Sequence, residues 1–228
     1  SMDDNTLGLI KRKNIKITNF RELMRRYRLE QIATYTELIL GLPGETYETF
    51  KAGINTLIES GQHDSLNIYV CAKLPNSEMS DPDYVRLHNI QSVRAPILLT
   101  HSTPSEDPIT EFHNMIIGTR TMSVEDWKKT YIFSWAVQCF HCLSLTQFLA
   151  VFFSKQCGLP YGDFYENLIN YCREQPLTLV GNQFSEVSAI IDKATKGGSV
   201  EMVIPKFGNI TWPLEEAIFL NLIAEKDK

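Results

Sequence analysis

The stretch Ala33-Thr-Tyr-Thr-Glu-Leu-Ile-Leu-Gly-Leu-Pro-Gly-Glu-Thr46 constrains the fold more than any other part of the chain. Its first half, through Leu40, is apolar and β-branched and too short for a buried helix, so it reads as a buried strand. Gly41-Leu-Pro-Gly44 then ends the strand in a rigid turn, because Gly reaches positive φ and Pro fixes φ near −65°. Thr46 has the hydroxyl expected of an N-cap. The helix it opens runs from about Tyr47 to Glu59, with Phe50, Ile54, Leu57 and Ile58 on its apolar side. Gly61 closes that helix. A second strand follows from Leu66 to Ala72 and stops at Leu74-Pro-Asn76.

Upstream, Thr18 or Asn19 is expected to cap a helix over Phe20–Leu29, where Phe20, Leu23, Met24 and Tyr27 recur at helical spacing. Residues 20–76 therefore read helix, strand, helix, strand, the alternation of a parallel sheet with crossover helices. In such folds, ligands bind at the loops following the carboxyl ends of the strands. Arg21, Arg25, Arg26 and Arg28 cluster on the first helix. Glu22 and Glu30 interrupt them and no stacking aromatics are interleaved, so they read as a solvated face rather than a nucleic-acid site. The net charge of −5 points the same way.

Glu37-Leu-Ile-Leu-Gly-Leu-Pro-Gly-Glu-Thr46 resembles the late-barrel strand and turn of radical S-adenosylmethionine (radical SAM) enzymes, in particular the cobalamin-dependent branch with its "GLPGET" turn. Leu66-Asn-Ile-Tyr-Val-Cys-Ala-Lys-Leu-Pro-Asn76 resembles that family's next strand and "LPN" turn. The resemblance is good over about residues 7–100 and looser beyond. It implies the later part of a (β/α) barrel over residues 1–100, followed by a mostly α-helical region over 101–228, an α/β chain overall. By position it implies S-adenosylmethionine binding at Glu37, Ile39, Gly41, Gly44, Glu45, Val70 and Ala72, with an aliphatic side chain on adenine and strand backbone bonded to the base. The family pattern Gly-x-Ile-x-Gly-x-x-Glu is met with Glu37 at the first Gly and with the acid, Glu45, one place later.

The same resemblance implies a [4Fe–4S] cluster held by Cys-x3-Cys-x2-Cys, together with a cobalamin domain, in the full-length protein. The five cysteines, Cys71, Cys139, Cys142, Cys157 and Cys172, do not show that spacing. The expectation is therefore a fragment of a radical SAM enzyme, one that starts 5′-deoxyadenosyl radical chemistry and methylates a carbon of a small-molecule substrate. On its own the fragment is expected to be inactive and to hold no catalytic residue. The alternative is a non-catalytic binding or scaffold domain derived from such a barrel. Ser1-Met2 reads as a cloning scar, with the natural protein beginning upstream. With only part of a barrel present, one strand edge is expected to be unpaired, so that the chain self-associates or covers the edge with its N-terminal segment.

An odd cysteine count without a paired framework suggests a reducing, cytoplasmic compartment. Cys139-Phe-His-Cys142 has metal-like spacing but no matching second pair, and on an apolar helix its cysteines read as small core residues. His63, His88, His101 and His113 show no Ser or Cys partner at useful spacing. From about Ser80 to Asp107 the periodicity is lost, with a short strand expected at Ile97–Thr100. Ser123-Val-Glu-Asp126 has the form of a capping box and leads into Trp127–Phe153. Residues 130–154 carry no formal charge, yet Gln138, His141, Ser144, Thr146 and Gln147 are dispersed through them. That favours a buried helical pair bending near Leu143-Ser144 over a membrane span. Helices are further expected over Phe164–Cys172, over Phe184–Lys196, and from Thr211-Trp-Pro213 to about Glu225, with a short strand at Val200–Ile204.

Overall fold

A computed structural model describes residues 1–104 and 109–224. The N-terminal part contains α1 (Asp4–Leu9), α2 (Ile17–Leu29), β1 (Tyr35–Leu40), α3 (Tyr47–Glu59) and β2 (Ser65–Val70). Strands β1 and β2 pair in parallel from Tyr35↔Ser65 to Leu40↔Val70, as the alternation requires. Thr46 caps α3 through a reciprocal box with Thr49. Gly61 follows α3 at φ +104, a conformation that favours glycine. Helix α2 starts at Ile17 with no side-chain cap, earlier than Thr18 or Asn19 would place it. Its arginines are used locally: Arg25 and Arg26 each bond Glu22 at 2.8 Å, Arg28 reaches the Gly61 carbonyl at 3.0 Å, and Arg21 reaches Ser60 Oγ at 3.2 Å.

Strand β1 is half-buried rather than buried throughout. Leu38 and Leu40 pack into the core, while Tyr35 and Glu37 are exposed. Leu38 and Leu40 face α3, where Phe50, Ile54, Leu57 and Ile58 are all buried. The opposite face of the two-stranded sheet remains open, with Tyr69 also exposed.

Past β2 the parallel alternation ends. After α4 (Pro82–His88), β3 (Gln91–Pro96) and β4 (Phe112–Gly118) form an antiparallel pair. The strand expected at Ile97–Thr100 is replaced by this pair, whose ladder just reaches Ile97 through its N–H to Glu111 O at 2.9 Å. Pro96 ends β3, a placement tolerated because β3 is an edge strand. Strand β4 meets the end of β2 at one antiparallel bridge, Ala72↔Met115. The closed barrel of the resemblance is not seen among the described residues.

The C-terminal part is mostly helical. It contains α5 (Val124–Ala136), which continues as a π turn over Val137–Cys142, then α6 (Gln147–Cys157), α7 (Tyr161–Glu174), α8 (Leu179–Ala194), the short pair β5 (Met202–Ile204) and β6 (Ile210–Trp212), and α9 (Leu214–Ala224). Ser123 and Asp126 form the capping box of α5. Thr211 and Trp212 belong to β6, so the last helix starts only after Pro213. Its expected end at Glu225 lies outside the described residues. The chain bends by 95° between the Val124–Cys142 helix and α6, with Ser144 at φ +65. Among the described residues no single helix is long and apolar enough to cross a membrane. Trp127, Phe133 and Trp135 of α5 are instead buried in one apolar cluster shared with α3, α7, α8 and α9.

Candidate functional site

The turn after β1 is built by two glycines. Gly41 has φ +96, and a Cβ there would lie 3.4 Å from the Ile116 carbonyl and 3.5 Å from Trp127 Nε1. Gly44 has φ +92 and lies beneath α1, where a Cβ would come within 2.6 Å of Leu9 Cδ1. Glu45 is completely buried next to them. Its Oε1 accepts from Ser1 Oγ at 2.5 Å, its backbone carbonyl accepts from Thr121 Oγ1 at 2.8 Å, and its Oε2 has no partner among the described residues. Burial pushes its carboxyl up to about 7, the largest of several influences.

A cavity of about 550 Å³ opens at the carboxyl ends of β1 and β2 and along the free side of β1. Glu37, Ile39, Val70 and Ala72 all line it, together with Cys71 and, from the N-terminal segment, Ile10 and Arg12. Four of the seven expected ligand residues are thus brought together, while Gly41, Gly44 and Glu45 form the covered turn behind them. The bridge to β4 uses the Cys71 carbonyl, from Ile116 N–H at 2.9 Å, and the Lys73 N–H, to Asn114 O at 2.7 Å. The N–H and C=O of Ala72 between them point the other way, toward the cavity, and bond no described residue. A purine edge seeks such a donor and acceptor pair. The half-buried Ile39 supplies an apolar surface for the ring face, and the exposed Glu37 supplies a carboxylate at the mouth. The resemblance named the backbone around Ala72; the pairing of β2 with a strand forty residues on is what leaves its N–H and C=O free.

Comparison with known proteins covers about four fifths of the chain. Over 181 residues, 79% of this chain, the sequence is 36% identical to the cobalamin-dependent radical SAM methyltransferase TokK of Streptomyces tokunonensis. Over 183 residues, 80% of the chain, it is 34% identical to the 2-(S-pantetheinyl)-carbapenam-3-carboxylate methyltransferase of Streptantibioticus cattleyicolor. Over about four fifths of its length this chain is thus homologous to part of two methyltransferases, one of them a cobalamin-dependent radical SAM enzyme. It spans about a quarter of the length of each relative, 26% and 27% respectively. No family model matches it.

Among the described residues the cysteines are not gathered as a cluster would need. All five are free thiols, and among the described residues no three His, Cys, Asp or Glu side chains are grouped to hold a metal ion. Burial pushes the Cys71, Cys142 and Cys172 thiols up to about 11, away from the thiolate a metal requires. In the Cys139-Phe-His-Cys142 motif, His141 turns from the cysteines. Its Nε2 meets His63 Nδ1 at 3.0 Å and its Nδ1 meets the Tyr165 hydroxyl at 2.7 Å. Burial, then His63, pushes His141 down to about 3, so it is held neutral as the middle of a hydrogen-bonded line. His63 lies in the loop before β2, at the end of the sheet opposite the cavity, where fixed side chains serve stability.

Proposed function

We propose that this chain supplies the adenosine-binding strands of a cobalamin-dependent radical SAM methyltransferase that methylates carbon in a small-molecule substrate. The observation that carries this reading is the convergence of Glu37, Ile39, Val70 and Ala72 on one cavity at the ends of two parallel strands, within a chain homologous to such enzymes. Ile39 would pack on the adenine ring, the Ala72 N–H and C=O would pair with its edge, and Glu37 would accept from the ribose hydroxyls. S-adenosylmethionine, cobalamin and an iron–sulfur cluster together supply radical methyl transfer in this family. The cluster and the cobalamin belong to residues of a longer protein, since the cysteines of this chain do not fit the former. We assign no chemical step to the chain itself; its part is to bind and orient.

The test is titration of the 15N-labelled chain with S-adenosylmethionine. Saturable shifts confined to the amides of Ile39, Val70 and Ala72 are expected, with Ile39→Asp weakening binding by about tenfold or more, roughly 1.4 kcal/mol. In a longer, anaerobically reconstituted protein the same substitution should raise the KM for S-adenosylmethionine. No shifts in the chain, together with unchanged kinetics in the longer protein, would overturn the reading. The competing reading, a non-catalytic scaffold, rests on the absent Cys-x3-Cys-x2-Cys. Finding that motif in frame upstream of Asp3 would remove it.

A further inference from the structure

Strand β2 has a second edge, on the side away from β1. The Cys71 N–H turns to the Leu40 carbonyl, whereas the Ile68 N–H turns the other way, to Gln138. By the alternation of a parallel ladder, Ile68 and Val70 therefore direct their backbone N–H and C=O groups outward. The nearest strand on that side, β4, is joined there only by the Ala72↔Met115 bridge, past the end of β2. A second cavity, of about 540 Å³, lies along the edge that this bridge leaves open. Ile68 and Val70 line it, Met115 and Val200 add apolar wall, and Gln138 lies among the lining residues.

At Ile68 the edge already holds an amide. Gln138, buried in the π turn after α5, accepts the Ile68 N–H on its Oε1 at 3.1 Å and donates from its Nε2 to the Ser134 carbonyl at 3.4 Å. Its carboxamide stands where a neighbouring strand would present a peptide carbonyl. One position further along, the edge has no such partner. The Ile68 C=O and the Val70 N–H and C=O bond no described residue, although both residues are half-buried. Backbone groups in that setting seek a partner as polar as themselves. A donor flanked by acceptors at strand spacing, beside aliphatic side chains, is the pattern by which a sheet edge takes up an extended amide chain. An ester would satisfy the Val70 N–H but offer nothing to the two carbonyls. A carboxylate is disfavoured too, since no Lys or Arg lines the cavity while Glu201, Glu215 and Glu216 do.

We propose that this cavity binds an uncharged, extended chain of secondary amides laid along β2 as a short added strand, its carbonyl on the Val70 N–H and its N–H on the Ile68 or Val70 C=O. The site lies on the edge of β2 away from β1, and it does not rest on the adenosine reading. The experiment is a set of separate titrations of the 15N-labelled chain with N-acetyl-L-valine methylamide, its methyl ester counterpart and free N-acetyl-L-valine. We expect the methylamide to give saturable shifts at Ile68, Val70, Gln138 and Gly198, with the Val70 amide moving downfield as it gains an acceptor. The ester, which lacks one donor, should bind about fivefold or more weakly, and the free acid more weakly still. Val200→Phe stays apolar and narrows the cavity. It should weaken the methylamide about fivefold or more, while the amide spectrum elsewhere and the response to S-adenosylmethionine stay as they were. Equal affinity for methylamide and ester, shifts centred instead on Glu37 and Ile39 at the other open edge, no saturable response, or full affinity in Val200→Phe would overturn the proposal. A failure of S-adenosylmethionine to bind would bear on the adenosine site alone.

Discussion

Glu45 shows how much one side chain's protonation weighs on this fold. Its carboxyl is buried and raised to about 7 against an unfolded value near 4.5. The folded state therefore binds the proton more tightly, and the stability this gives is complete below about pH 4.5 and lost as pH rises through about 7. Replacing Glu45 by Gln removes the ionisation. The expected outcome is a gain on the order of 2–3 kcal/mol at pH 8 and little change at pH 4, read from urea unfolding at both. A gain of the same size at both pH values would show that the carboxyl is not the titrating group. Gly41 is constrained by backbone rather than charge. At φ +96 any L side chain is strained, and the Ile116 carbonyl and the Trp127 indole leave little room for one. Gly41→Ala should cost about 1–3 kcal/mol, seen as a lower urea midpoint with an unchanged slope. At Gly44 the obstruction is only the end of the Leu9 side chain, which can move, so the added cost there is that of φ alone.

At the scale of elements, the bend between α5 and α6 is fixed by a polar line through the core. His63, His141 and Tyr165 are bonded in series, and the Gln147 side-chain amide donates to the carbonyls of His63 and His141 at 2.7 and 3.1 Å. Tyr165→Phe leaves one nitrogen of a fully buried imidazole without its partner, which should cost about 1–3 kcal/mol in urea unfolding. His141 has a folded value near 3 against the ordinary 6.5, so its contribution is complete above about pH 6.5 and lost as pH falls toward 3. Glu45 acts in the opposite direction over much of that range, and the Glu45→Gln variant should expose the histidine slope. The bend itself was legible: an uncharged run with scattered amides and hydroxyls cannot be a straight lipid-facing helix, and Leu143-Ser144 was the place to break it. The capping boxes at Ser123 and the glycine turn at Gly41 were legible for the same reason, since their physics is local. The β3–β4 pair was not. Its strands are polar and interrupted, and their pairing is decided across a loop by contacts that no short window contains. The histidine line, with partners 78 and 24 residues apart, escaped for that reason too. Of the candidate site, the residues on β1 and β2, including the backbone around Ala72, could be named from their turns, whereas the bridge to β4 that leaves the Ala72 groups free required the sheet.

For the whole molecule, the decisive feature is the side of β1 that pairs with no described strand. Leu40 gives its carbonyl to the Cys71 N–H at 2.8 Å. By the alternation of a parallel ladder, Thr36, Leu38 and Leu40 point their backbone groups at β2, while Glu37 and Ile39 point theirs away. Among the described residues no hydrogen bond is made by the outward backbone groups of Glu37 or Ile39. The N-terminal segment runs alongside this edge and lines the cavity there, through Ile10, Arg12 and Ile15, without pairing with it. An edge with free donors and acceptors beside apolar side chains is a template for another strand. The chain is accordingly expected to self-associate as its concentration rises, with light scattering showing a mass above 26.1 kDa that falls again on dilution. Glu37→Pro is the discriminating variant. It deletes an outward N–H that no described group uses, so it should lower the association at least several-fold while leaving the β1–β2 ladder and the urea midpoint nearly unchanged. A strict monomer whose Glu37 and Ile39 amides exchange freely would mean that the open edge is protected by its exposed Glu37 and its shortness alone. Association that survives Glu37→Pro would move the contact to another surface, of which the exposed Phe148, Leu149 and Phe152 of α6 are the most apolar.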